Sequence, residues 1–333
     1  MKRRDFLRYG SAGIAGALVS GTGLITWTPR ANAQTISKTY YITNGFISMP
    51  DFTSVYFMGY SDSSSGLNVP ATPLIIQEGD TVNLTIVNTL NTPHSFKIDG
   101  VVDSGTINGG SQKTISFQVS NPGTYMFYDG VNEPYNRIVG LHGPMAVMPQ
   151  GSTNTLYAGS PTFQQQYFWV FNDIDPNWND AVRRGQTPTG EYIPRYFTIN
   201  GQSARPPGAP GHGDPSIDAM TNPSTALHGS IGDRALVRSV NGGLCNHAVH
   251  CHGNHMEWLT SNGQIRPHIW KKDIIRLDHT RGTMDMIYPF EAPPDAWPPE
   301  TTGCYPMHLH NEMSQTAGGG SYMFGALTDI YFV

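Results

Sequence analysis

The chain has 333 residues, with 20 Lys+Arg against 25 Asp+Glu, a formal charge of −5 and only 14% charged residues. Its 37 Gly and 25 Pro fall between short apolar runs, which argues for an all-β chain with many turns, and the low charge argues against a coiled coil and a charged disordered tail. The acidic balance with no Lys/Arg block argues against a nucleic-acid partner, and at roughly 100–200 residues per domain the length predicts two domains with cores of their own.

In chain order, Lys2-Arg3-Arg4-Asp5-Phe6-Leu7-Arg8 is a twin-arginine motif. A Gly/Ala-rich, modestly apolar stretch runs on to Trp27, and Ala31-Asn32-Ala33 places small residues at the cleavage-site positions. Residues 1–33 are therefore expected to be an export signal, and the mature protein periplasmic or secreted. No later run is long and apolar enough for a membrane-spanning helix.

The mature chain carries an internal repeat. Leu74 to Asn88 reads as strand, Gly79-Asp80 turn, strand, and His94 follows. Gly232-Asp233, Asn241 and His247 reproduce the offsets, eight residues from Asp to Asn and six from Asn to His. Two similar β domains are expected, at 38–155 and 160–333. Val82, Leu84 and Ile86 alternate with Asn83, Thr85 and Val87, as a half-buried strand requires. Thr114–Val119, Thr124–Tyr128 and 143–149 read as further strands, and 205–215 and 292–303 as long Pro/Gly-rich loops.

Eight of the 12 histidines lie between 247 and 310. His247-Ala248-Val249-His250-Cys251-His252-Gly253 has the pattern HxxHxHG, and His308-Leu309-His310 the pattern HxH. Residues i and i+2 of a strand share a face, so His250 projects with His252, and His308 with His310. Adjacent strands would bring four imidazoles together as a site for copper, zinc, iron or nickel. Cys251, between two of them, is expected to face away as a buried thiol. His94 and His142 read as structural, while ligand and structural roles stay open for His247 and His255. A Cys245–Cys304 bridge and three free thiols both stay open. The mature chain contains no Walker, Rossmann or GxSxG signature.

On these motifs, and on the phrase Tyr196-Phe197-Thr198-Ile199-Asn200-Gly201, both repeats resemble cupredoxin domains, and the second resembles the last domain of multicopper oxidases. With two domains, the chain is similar to two-domain laccases and copper nitrite reductases. The resemblance implies an all-β fold of two cupredoxin-like Greek-key β-sandwiches and copper as cofactor, with zinc or another transition metal also compatible. It further implies oxidoreductase activity on a small molecule or metal ion, and a homotrimer with metal sites at subunit interfaces.

Carried over by motif, His247 would bind a type 1 copper, and His250, His252, His308 and His310 would hold the oxygen-reducing cluster. The family's type 1 Cys is here Leu309, and its later His is Ser314. In the first domain the HxH positions hold Lys97 and Asp99, then Tyr128 and Gly130, and Asp129 replaces the Cys of a nitrite-reductase-like domain. The expectation is an exported copper protein and oxidoreductase without a type 1 site. Its metal ligands would be His250, His252, His308 and His310, with His247 a further candidate. Lys97, Asp99 and Glu312 are the catalytic candidates: Lys97 would stabilise a bound anion or oxygen species, and Asp99 and Glu312 would complete a coordination shell or act as acid/base, with Lys97, Asp99 and Tyr128 facing the centre from a neighbouring domain. The alternative is a non-catalytic copper-handling or metal-free interaction protein on the same scaffold.

Overall fold

The computed structural model describes residues 17–18, 25–152, 154–292 and 303–333. The twin-arginine motif and most of the 292–303 loop lie outside them. Strands dominate, joined by helices Tyr135–Ile138 and Pro176–Arg183 and a 3₁₀ turn at Glu312–Gln315. The fold is all-β.

Four sheets form two sandwiches. In the first, Ser54–Ser61, Thr35–Ser48, Thr81–Asn88 and Gln112–Gln118 make one sheet. The opposing sheet orders Leu74–Gln77, His142–Met148, Gly123–Tyr128, Lys97–Ile98 and Val102–Asp103. In the second sandwich the site-bearing sheet orders Leu227–Gly229, Leu327–Phe332, Gly303–Leu309, His247–Cys251 and Ile274–Leu277. It faces an eight-stranded sheet centred on Arg234–Asn241 and Gln165–Ile174.

The sequence repeat is a structural repeat. Thr81–Asn88 runs parallel to Thr35–Ser48, and Arg234–Asn241 parallel to Gln165–Ile174. Both turns are tied alike: the Asp80 carboxylate accepts from Gln77 N (2.7 Å), and that of Asp233 from Ser230 N (2.8 Å). Asn88 Nδ2 donates to Thr92 O (2.8 Å) and Asn241 Nδ2 to Cys245 O (2.7 Å). These side chains close the loop that carries His94 in one domain and His247 in the other. That is why Asp, Asn and His keep their spacing.

The Thr81–Asn88 strand alternates half-buried and buried residues as expected, with Val82, Leu84 and Ile86 inside. Tyr40, Phe96 and Phe127 fill the first core, the last two stacked with centroids 5.1 Å apart. In the second core Trp169, Phe171, Met284 and Met286 meet Val249, Cys251, Met307 and Leu309. The helix Pro176–Arg183 had no place among the expected elements. Its signal was local: Asp175 accepts from Asn177 N and Trp178 N as an N-cap, and Pro176 opens the helix. The last residues of the expected export signal also pack on the fold. Ile25 joins a cluster with Met148 and Phe168, and Arg30 pairs with Asp80.

Candidate metal centre

The antiparallel ladder between His247–Cys251 and Gly303–Leu309 sets His250 opposite His308, Val249 opposite Leu309 and Cys251 opposite Met307. Period-2 alternation then separates two chemistries. His247, Val249 and Cys251 point into the core, whereas His250 and His308 stand on the outer face with His252 and His310 on their flanks. Ring centroids are 4.4 Å apart for His250–His252, 5.2 Å for His250–His308 and 5.3 Å for His252–His308.

His250, His252 and His308 offer ligand nitrogens that all lie within 4.8 Å of one another. His252 Nε2 and His308 Nε2 are 3.2 Å apart, close to the roughly 3.3 Å between two nitrogens that each bind one ion tetrahedrally at about 2.0–2.1 Å. His308 Nδ1 donates to Leu309 O (3.2 Å), which leaves Nε2 with its lone pair. His250 Nδ1 is buried without a hydrogen-bond partner. Burial, and then the neighbouring imidazoles, pull His250 down to about 4, partly opposed by Asp273. It is therefore neutral, and a competent ligand, at neutral pH. The donor set fits a borderline transition metal such as copper or zinc.

His310 stands at the rim. It is exposed, stacks on His308 at 5.6 Å and lies 5.0 Å from His250, but falls outside the group of three. His247 is on the other side of the sheet, buried, with Nε2 3.4 Å from the buried Asp173 carboxylate. Cys251 is buried in the core, where burial pushes its thiol far up. Leu309 and Ser314 are fully buried. His255 and Glu312 are exposed. The cysteines are all free. Cys245 lies before His247 at one end of the ladder and Cys304 beyond its other end, so neighbouring strands do not bring them together.

The first domain holds the same register. Lys97 opposes Tyr128 where His250 opposes His308. Asp99 then matches His252, and Tyr128 Oη donates to Asp99 Oδ1 (2.6 Å). Asp99 does not belong to the group formed by His250, His252 and His308. Arg281 of the second domain pairs with Asp99 (2.9 Å) and lies 4.8 Å from the Tyr128 ring, and Lys97 pairs with Asp103 (3.4 Å). Burial works to raise the Asp99 carboxyl, but the Tyr128 hydroxyl and Arg281 outweigh it and hold it low. Sequence reasoning missed Arg281, since one arginine in a turn carries no periodic signal.

His94 is a satisfied structural residue: Nδ1 lies 2.6 Å from the buried Asp129 carboxylate and Nε2 2.9 Å from Thr92 Oγ1. His142 Nδ1 donates to Arg137 O (2.8 Å).

A cupredoxin-like domain model matches residues 67–139. The multicopper oxidase mgLAC superposes with a TM-score of 0.68 at 20% identity, over 90% of this chain and 86% of that one. The chain has the two-domain cupredoxin fold of the multicopper oxidases. The blue copper oxidase from Nitrosomonas europaea superposes equally well (TM-score 0.68, 19% identity, 89% and 85% coverage). The copper nitrite reductase of the same organism follows (TM-score 0.63, 17%, 90% and 94%). In sequence, a copper-containing nitrite reductase from Alcaligenes xylosoxydans xylosoxydans is 20% identical over 226 residues, 60% of this chain. The match spans 62% of that relative's length. Among the described residues no helix is long and apolar enough to cross a membrane.

Proposed function

We propose that this two-domain cupredoxin is an exported copper protein whose second domain holds the metal through His250, His252 and His308, with His310 as a solvent-side fourth ligand. The observation that carries this reading is the three-imidazole group, with ligand nitrogens mutually within 4.8 Å on a rigid two-strand ladder. Bound copper supplies one-electron chemistry. The chain's part is to present neutral nitrogens, to lock His308 through its Nδ1 bond to Leu309 O, and to keep the sulfur of Cys251 on the core side. The type 1 site is absent in this reading, because Leu309 and Ser314 offer no soft donor where one is needed. Glu312, two residues past His310, is the nearest acid–base candidate in sequence, and Lys97 and Asp99 serve only if another subunit brings them to the cluster. The division into a domain at 38–155 without copper ligands and one at 160–333 that keeps them, twin-arginine export of residues 1–33, and a homotrimer belong to the same reading.

Metal analysis of copper-loaded protein tests it. We expect stoichiometric copper with nitrogen hyperfine structure in its electron paramagnetic resonance spectrum, lost in His250→Ala and His308→Ala. Copper retained by both variants overturns the site. The half-exposed, open position of the cluster favours copper handling as the second reading. Tight copper without turnover of a phenol, Mn(II) or nitrite selects handling over catalysis.

A further inference from the structure

A cleft of about 960 Å³ lies between the two domains, and none of the four clustered histidines lines it. One wall is the 98–101 turn and residues 118–126, and the other is the 260–265 hairpin and residues 279–285. Small-ligand sites favour such junctions, and this volume is at the upper end of their usual range of about 300–1,000 Å³.

The backbone is unusual at this place. Of the six non-glycine residues with positive φ among those described, three line the cleft: Asn262 (50°), Thr280 (58°) and Arg281 (67°). A β-branched residue such as Thr280 pays most for that conformation, and strain of this kind collects where a site must be shaped.

The charges in the cleft are already neutralised. Arg281 pairs with Asp99 (2.9 Å) and Glu133 (3.0 Å). Asp285, on the floor, accepts from Thr124 and from Thr260 Oγ1 (2.6 Å), with Arg238 4.0 Å behind it. No unpaired cation remains there for a phosphate or carboxylate. What the walls offer is amides and aromatic faces: Gln118, Asn121, Asn262 and Gln264, with Tyr125 and Tyr157. Several are held in place. Asn262 Nδ2 donates to Asp278 Oδ2 (2.8 Å), Gln118 Nε2 to Thr81 Oγ1 (2.7 Å) and Tyr125 Oη to Asn121 O (2.9 Å). The body of Tyr157 packs on Leu156, Leu236 and Ile287.

We propose that this cleft is a binding site for a neutral oligosaccharide, its sugar faces resting on Tyr157 and Tyr125 and its hydroxyls meeting the amide groups. Fixed amides replace the water around hydroxyls without the cost of ordering a flexible chain, and flat rings cover the C–H faces of a pyranose. The volume suits several sugar units rather than one.

The test is calorimetric titration of the full chain with cellohexaose, xylohexaose, laminarihexaose and mannohexaose, with hexagalacturonate as acidic control. A neutral hexaose binds and the acidic one does not. Tyr157→Ala and Gln264→Ala each weaken binding about tenfold, with circular dichroism and copper content unchanged. Gln264 is exposed at a hairpin tip, so its variant keeps the fold even where Tyr157→Ala disturbs it. The proposal is overturned if no neutral hexaose binds, if both variants bind as the parent does, or if hexagalacturonate binds as well. Because no histidine of the metal centre takes part, failure of either assignment leaves the other standing.

Discussion

Among the described residues three histidines are held below the ordinary imidazole value of 6.5: burial lowers His228, and His142 and His250 are held down to about 4 for related reasons. His142 is fully enclosed, and burial outweighs the help of the Arg137 carbonyl. His250 is half-buried and is pressed further by His252, His308 and His310. Each charges more readily in the unfolded chain than in the folded one. Between pH 6.5 and 4 the unfolded state therefore binds more protons, and stability falls as pH falls through that window, levelling off below it. The full contribution of His142 is present above pH 6.5 and amounts to about 3 kcal/mol. His250 adds less because water reaches it. Urea unfolding of the metal-free protein should show this loss between pH 7 and 4.5, and His142→Asn should remove most of it. An unchanged slope in that variant contradicts the burial argument.

At the scale of elements, one ladder decides which residues meet metal and which meet the core. The pattern HxH was legible as a strand face, and the convergence of His250, His252 and His308 follows once the two strands are neighbours. Sequence gave no reason to separate His310 from the other three. The ladder ends there: the chain turns at Asn311 into Glu312–Gln315, and His310 is left at the exposed rim. The same alternation buries Cys251 and Leu309 among Val249 and Met307. Copper-loaded protein should therefore lack the intense absorption of a copper–thiolate bond. In unreduced native protein, a thiol reagent should leave Cys251 unmodified until denaturant is added, and mass spectrometry should then find three free thiols. Blue absorption that vanishes in Cys251→Ser would mean that the strand is turned over.

The whole molecule is joined by buried polar bonds that no motif announces. Arg137, fully buried in the first domain, pairs with Glu133 and donates from Nη1 to the carbonyls of Gly242 and Gly243 in the second (both 2.7 Å). Glu133 keeps Arg281 as a partner when Arg137 is deleted, but the two carbonyls are left short of a donor, which costs about 2–4 kcal/mol. Calorimetry of Arg137→Ala should show a lower midpoint and a transition that resolves into two as the domains uncouple. A single transition at the parental midpoint would show that the junction is held by other contacts. Asp285 and Arg281, which shape the cleft, belong to this class. They are single charged residues far apart in sequence from the Thr124 and Asp99 they bond, so neither spacing nor composition points to them.

What the sequence by itself determined is periodic or local: strand alternation, the Asp–Asn–His repeat, the pairing of histidines on one face, and the missing cysteine between the last two. These are set by backbone geometry over a few residues, which every strand obeys wherever it lies. Only the tertiary structure decided that His250, His252 and His308 bring their nitrogens together with His310 at the rim, that Arg281 pairs with Asp99 over the Tyr128 ring, and that a charge-balanced cleft opens between the domains. Those depend on contacts across scores of residues, where the energy of a buried charge is fixed by its partner and not by its neighbours in the chain.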